Sequence, residues 1–292
     1  MKKIIIVTGG AGFVGSNLID KLLETTNYSI ISIDNYSSGY KKNQIKHKRV
    51  RYFKGHTKYI SKYLNKYVKQ IHSIFHFGEF SRIYQSFLKL DQCLESNTIG
   101  TNAVFKFCLI NKIKLIYSAT SASLGNLNNK NLSPYAFTKA KNLELLENLK
   151  KWFNFKYEVI YFYNVYGPYQ ICKGNMATVI GIFENHYKSN KALPVVKPGS
   201  QTRRFTHIHD TVEVCFKAWK KNLCRHYSIL SHKSYSILEV AQMFGKKIKY
   251  LPKRPGERYA SALTNMNLSN KVYKHFGRTS LKKYIKDFIS SY

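Results

Sequence analysis

The sequence predicts an α/β fold, a doubly wound parallel sheet with a smaller C-terminal lobe, and three observations predict it. Short apolar runs of the kind buried on both faces of a parallel sheet recur at 3–8, 29–33, 50–53, 73–77, 114–117 and 158–163. Helical patterns separate several of these runs, which implies crossover connections and helices on both faces of the sheet. The first run opens directly into Gly9-Gly10-Ala11-Gly12-Phe13-Val14-Gly15, a strand, glycine turn and helix in succession.

Gly10, Gly12 and Gly15 satisfy GxGxxG, and Gly9, Gly12 and Gly15 satisfy GxxGxxG. Glycines at such a turn let backbone N–H groups approach a pyrophosphate at the start of the following helix. Residues 16–23, with Leu18, Ile19, Leu22 and Leu23, supply that helix. The second strand ends in Asp34, about twenty residues past the glycines. An acid there binds an adenosine ribose and repels a 2′-phosphate, which favours NAD over NADP.

Next come Gly55-His56-Thr57 and a long helix over 86–110 carrying Asn97-Thr98-Ile99-Gly100-Thr101. The strand at 114–117 leads into Ser118-Ala119-Thr120-Ser121, hydroxyls that taken alone are also ordinary turn formers. A helix from Pro134 to Leu149 sets Tyr135 and Lys139 four residues apart on one face. An ammonium beside a phenol lowers the phenol's pKa from about 10 towards working pH and makes it a general base for an alcohol. Taken alone, the pair also fits a half-buried tyrosine beside a snorkelling lysine.

After Asn164-Val165-Tyr166-Gly167-Pro168 turn residues become frequent. Helices are expected at about 176–189, 210–221 and 236–243, with 268–292 a closing helical section. The expected division is 1–164 for the dinucleotide-binding domain and 165–292 for the lobe, with about 205–230 packing back on the first.

A net charge of +33, from 48 basic and 15 acidic side chains, gives a field that attracts anions. The basic residues are scattered rather than gathered into a stripe, which argues for an anionic small substrate over nucleic acid as the main partner. No apolar run reaches membrane length, and the apolar start is too short for a signal peptide. Five cysteines without a CxxC pair fit reduced thiols in the cytoplasm better than disulfides or zinc.

These pieces together resemble the extended short-chain dehydrogenase/reductase family in its nucleotide-sugar epimerase branch, from Lys3 to about Ser261. The marks are Thr8 to Gly15, Asp34-Asn35, His76-Phe77-Gly78, Asn97 to Thr101, Ser118 to Gly125, Tyr135 to Lys139, Asn164 to Pro168 and Arg203 to Asp210. The resemblance implies a Rossmann-like domain, bound NAD, a UDP-sugar substrate and a homodimer. It implies Tyr135 as catalytic base, Lys139 lowering its pKa and holding the nicotinamide ribose, and Thr120 bonding the reacting hydroxyl. Gly9, Gly12, Phe13, Val14, Gly15, Asp34, Asn35, Phe77 and Asn97 would line the cofactor. Ser81, Asn164, Asn175, Arg203, Arg254 and Ser261 would line the substrate, the arginines meeting phosphate as planar donors. His207, His209 and Asp210 would be structural, with no metal bound.

Four departures stand out: His56 in place of an adenine-binding acid, fifteen positions from Thr120 to Tyr135, Phe77-Gly78-Glu79 where small residues are common, and Leu124 before Gly125. The implied reaction is inversion at C4 of a UDP-hexose through a 4-keto intermediate. Related 4,6-dehydratases carry Asp-Glu after the catalytic threonine, and related UDP-glucuronate decarboxylases carry Glu at the place of Ala122; here Ser121-Ala122 supply neither acid. Another epimerase or reductase of the family, for example one acting on UDP-glucuronate, and an inactive NAD-binding regulator are the alternatives. A small Ser261 would admit a 2-acetamido group, hence UDP-N-acetylglucosamine beside UDP-glucose.

Overall fold

The computed structural model describes residues 3–124, 132–221, 223–255 and 272–292. Ser261 and residues 125–131 lie outside them. Six strands, β1 (Ile4–Thr8), β2 (Ser29–Asp34), β3 (Val50–Lys54), β4 (Ile71–His76), β5 (Lys114–Thr120) and β6 (Tyr157–Phe162), join the strands His226–Leu230 and Val272–Phe276 in one sheet. From edge to edge the order is Val272–Phe276, His226–Leu230, β6, β5, β4, β1, β2, β3, every neighbouring pair parallel. The sheet is the Rossmann-like, doubly wound architecture that the sequence predicts.

The side-chain period of two divides each central strand between two apolar layers. Ile5, Val7, Phe75, Ile116 and Ile160 pack against α1 (Phe13–Thr25) and the helix Ile208–Lys220. Ile6, Ile74, Leu115, Tyr117 and Val159 pack against the helices Thr101–Ile110 and Pro134–Phe153. Thus the segment about 205–230 supplies both a covering helix and a sheet strand. A second core, with Phe183, Val195, Phe205, Val240, Phe244 and Ile285, gathers the helices Val179–Lys188, Ile237–Met243 and Leu281–Ser290. From β1 the chain steps outward to β2 and β3, then returns to β4 on the other flank of β1. That reversal opens the crevice at the carboxyl ends of β1 and β4 where such sheets bind ligands.

Two expectations are corrected. The region 86–110 is not one helix: Ile83–Leu88 and Leu90–Leu94 meet at Lys89 (φ −131°, ψ 51°), a π-helical turn covers Glu95–Gly100, and Thr101–Ile110 follows. The wide turn brings Gly100 so near Thr57 that a Cβ would overlap the Thr57 hydroxyl. Nor is 268–292 wholly helical, because Val272–Phe276 pairs with His226–Leu230 and only Leu281–Ser290 is helix. Pairing to an otherwise open sheet edge outweighs local pattern there.

Candidate active site

The glycine turn lies at the carboxyl end of β1 and passes beneath the end of β4. Gly9 has φ +72°, and a Cβ on it would lie 2.9 Å from the Gly78 nitrogen and the Phe77 carbonyl carbon. A methyl on Gly15 would overlap the Gly9 carbonyl oxygen. α1 starts after Gly12 with no side chain capping it, so the first N–H groups, at Phe13 and Val14 among them, are available to a pyrophosphate.

Asp34 ends β2 beside this turn. Its Oδ2 accepts the Ala11 N–H at 2.9 Å and its Oδ1 accepts the Tyr36 N–H at 2.8 Å. Burial pushes its pKa up while those two N–H groups pull it down, and each oxygen keeps a lone pair for a ribose hydroxyl. Asn35 is exposed and accepts the Ser37 N–H. Phe77 packs edge-on against Phe75 and Phe162. The cradle, its helix terminus and its acid fit a dinucleotide.

Asn97 does something different from lining that site directly. Fully buried, it accepts the Phe80 N–H at 2.7 Å and donates to the Phe80 carbonyl at 3.1 Å and to Thr138 at 3.2 Å. Its amide shapes the segment after β4 and ties it to the tyrosine helix. His56, in place of an adenine-binding acid, accepts the Lys58 N–H and caps a short helical turn.

Tyr135 stands in the first turn of the helix Pro134–Phe153. Ser133 accepts the Ala136 N–H and Pro134 occupies the position where its missing N–H costs nothing. Ser86 accepts the Tyr135 N–H at 3.2 Å, which fixes the helix start on the segment after β4. Thr120 lies near enough to the Tyr135 hydroxyl for its side chain to lower the phenol's pKa, and both residues are buried. The spacing thus brings Thr120 and Tyr135 together as expected.

Lys139 departs from expectation. Its Nζ pairs with Glu79 and donates to the Ser118 carbonyl and, at 3.2 Å, to the Tyr117 hydroxyl. Burial pulls the lysine's pKa down and Glu79 opposes the shift. Tyr135 is accordingly not lowered: burial pushes its hydroxyl up to about 12, the Thr120 side chain works against this, and Glu79 adds to it. A lysine enclosed at this depth turns to the nearest carboxylate, and a neutralised ammonium cannot hold a phenolate.

Glu79 anchors a longer chain of hydrogen bonds. The Phe77 and Gly78 N–H groups donate to Thr8 Oγ1, which lies 2.8 Å from His76 Nδ1. His76 Nε2 lies 3.0 Å from Thr101 Oγ1, which donates to Glu79 Oε1 at 2.8 Å. One proton per hydroxyl assigns the direction: Thr8 donates to Nδ1, and Nε2–H donates to Thr101. His76 is therefore neutral, and burial holds its pKa down at about 4. The relay links the glycine turn to Lys139.

The other predicted substrate residues make these local contacts. Asn164 (φ +34°) donates to the Arg204 carbonyl at 3.0 Å, beside the nearly buried Arg203, whose Nη1 donates to the Thr202 carbonyl. Ser81, exposed, begins the segment whose Tyr84 ring lies 5.1 Å beneath the Arg254 guanidinium. Asn175 is exposed in the turn after Gly174. His207 caps the helix Ile208–Lys220 by accepting the His209 N–H, and its ring packs edge-on against Tyr166.

Sequence reasoning missed the roles of two residues. Glu79 was visible as a departure without a partner. Arg82 gave no signal at all; it donates to the Met176 and Ser81 carbonyls, and its charge acts on Tyr135.

Fold and site define a dinucleotide-dependent enzyme of the extended short-chain dehydrogenase/reductase class. The chain belongs to the NAD dependent epimerase/dehydratase family, whose model matches residues 5–229, and it uses NAD. It is 33% identical over 232 residues (72% of this chain, 70% of the relative) to the ADP-L-glycero-D-manno-heptose-6-epimerase of Brachyspira hyodysenteriae. It is 29% identical over 233 residues (75% of each) to a putative UDP-glucose 4-epimerase of Methanocaldococcus jannaschii. In structure it is similar to the UDP-glucose 4-epimerase of Thermotoga maritima, with a TM-score of 0.87, 23% identity and coverage of 98% and 97% of the two chains. No helix among the described residues is long and apolar enough to cross a membrane.

Proposed function

We propose that the protein inverts a UDP-hexose at C4. The observation that carries this reading is the buried Tyr135–Thr120 hydroxyl pair, packed against Ala122 rather than against the acid a dehydratase needs. Tyr135 takes the proton of the C4 hydroxyl, and Thr120 bonds the same oxygen through the turnover. Gly9, Gly12, Gly15 and the start of α1 would hold the pyrophosphate of the cofactor, and Asp34 its adenosine ribose. NAD held there would supply the acceptor and donor of a hydride at C4, so that the sugar could be oxidised and re-reduced without net redox change. The 4-keto sugar turns over in between, while Asn164, Asn175, Arg203 and Arg254 keep the nucleotide anchored.

Two fixed charges tune the base. Arg82 lowers the pKa of Tyr135 and Glu79 raises it, so the two act on the phenol in opposite senses. The same reading makes the enzyme a cytoplasmic homodimer, its partner covering the exposed Phe87, Leu90, Leu94 and Phe137 on neighbouring helices. Nucleic acid has no part in it.

The 33% identity to a heptose epimerase favours one rival, inversion at C6 of an ADP-heptose. Incubation with UDP-glucose, UDP-N-acetylglucosamine, UDP-glucuronic acid and ADP-heptose, followed by separation of epimers, decides between them. C4 epimers of a UDP-hexose are expected; turnover of the heptose alone would overturn the reading.

A further inference from the structure

The segment 80–86, which leads into and begins the helix Ile83–Leu88, touches three separate parts of the chain. Asn97 holds its start, accepting the Phe80 N–H at 2.7 Å and donating to the Phe80 carbonyl at 3.1 Å. Ser86 holds its end by accepting the Tyr135 N–H at 3.2 Å, so the short helix is registered on the one that carries the tyrosine. Between these anchors Arg82 Nε donates at 2.9 Å to the carbonyl of Met176, 94 positions along the chain. Met176 and Ile83 pack against the cluster of Tyr135, Phe80 and Ala122, and Asn175 is the neighbour of Met176 in sequence.

Tyr84 adds a contact of another kind. The Arg254 guanidinium lies over its ring, 5.1 Å from the centroid. Both residues are half-buried, and a cation over an aromatic face is held more firmly there than in open water. A ring face supports the guanidinium without occupying its planar donors, which can then meet a phosphate in a bidentate way. A long arginine side chain loses rotamer freedom when it fixes an anion, and one already held against a ring loses less. The Pro255 that follows restricts the Arg254 backbone to extended conformations and narrows its choices further.

We propose that Tyr84 is a positioning residue, whose ring holds the Arg254 guanidinium ready for the diphosphate of the substrate. The proposal rests on the reading of Arg254 as a diphosphate ligand. Tyr135 acts on the sugar and Arg254 on the diphosphate joined to it, so their separation must suit one ligand. Tyr84 and Ser86 stand on the same six-residue helix, one touching the arginine and the other the start of the tyrosine helix. That helix therefore sets the separation.

The test is titration calorimetry of the NAD-saturated protein with UDP, and with ADP beside it. Tyr84→Leu, which keeps much of the bulk and removes the π face, should weaken UDP binding about threefold to tenfold, and Tyr84→Phe should preserve it. In an Arg254→Met protein the Tyr84→Leu change should have no further effect, because the ring acts only through the arginine. Unchanged UDP affinity in Tyr84→Leu overturns the proposal. So do losses that simply add in the double variant, since Tyr84 would then act without Arg254. A Tyr84→Phe protein as weak as Tyr84→Leu overturns it too, because the phenol oxygen rather than the ring would be responsible. Binding of ADP but not UDP would sink the UDP-hexose reading; the same cycle read with ADP then supports Tyr84 if the losses couple and overturns it if they add. Binding of neither nucleotide overturns both.

Discussion

At the scale of single residues, the chemistry turns on a tyrosine whose neighbours pull in opposite directions. Tyr135→Phe should lower kcat by about two to four orders of magnitude, the usual worth of a general base, while nucleotide binding persists. Loss of UDP binding together with activity would assign the tyrosine to structure. Glu79 raises the pKa of both Tyr135 and Lys139, so removing its charge lowers both. Glu79→Gln should then move the kcat/KM profile as a whole to lower pH. A profile that stays in place would show that neither group depends on Glu79. The nearness of Tyr135 and Thr120 was legible because a helix start and a strand end fix their places. The Glu79 pairing was not, since its partner lies sixty positions away and nothing local announces the contact.

At the scale of elements, the glycine turn is the most constrained piece of backbone. Gly15→Ala forces a methyl against the Gly9 carbonyl and should cost about 1–3 kcal/mol, as overpacking does, with weaker NAD binding. Unchanged urea stability and NAD affinity would mean that the turn is looser than the geometry says. The central strands were readable because helices cover both faces and leave near-continuous apolar runs such as Ile4–Val7. The broken helix at 83–110 was not readable: its kink at Lys89 and its wide turn at Glu95–Gly100 answer to contacts with Phe80 and Thr57 rather than to local pattern. The edge strand Val272–Phe276 was missed for the same reason, because its partner is forty-odd residues earlier. Sequence saw what adjacent residues decide.

At the scale of the whole molecule, buried histidines tie stability to pH. Burial holds His76 and His207 at about 4, against 6.5 for the free side chain. Between those values the unfolded chain binds protons that the native chain refuses. Their contribution is therefore present above pH 6.5 and lost as pH falls towards 4, on the order of 3 kcal/mol for each histidine. The urea midpoint should drop over that window, less so in His207→Gln; a flat midpoint would contradict neutral burial. The charge of +33 adds a long-range pull on any nucleotide sugar, so KM should rise with salt. The central claim is that Tyr135 serves oxidation and re-reduction of the sugar at C4. Its most direct test is a UDP-hexose carrying deuterium at C4, incubated with the NAD-loaded protein and read by proton NMR. The account predicts an inverted C4 that still bears the label; deuterium washed into water, or inversion at another carbon with C4 untouched, would contradict it.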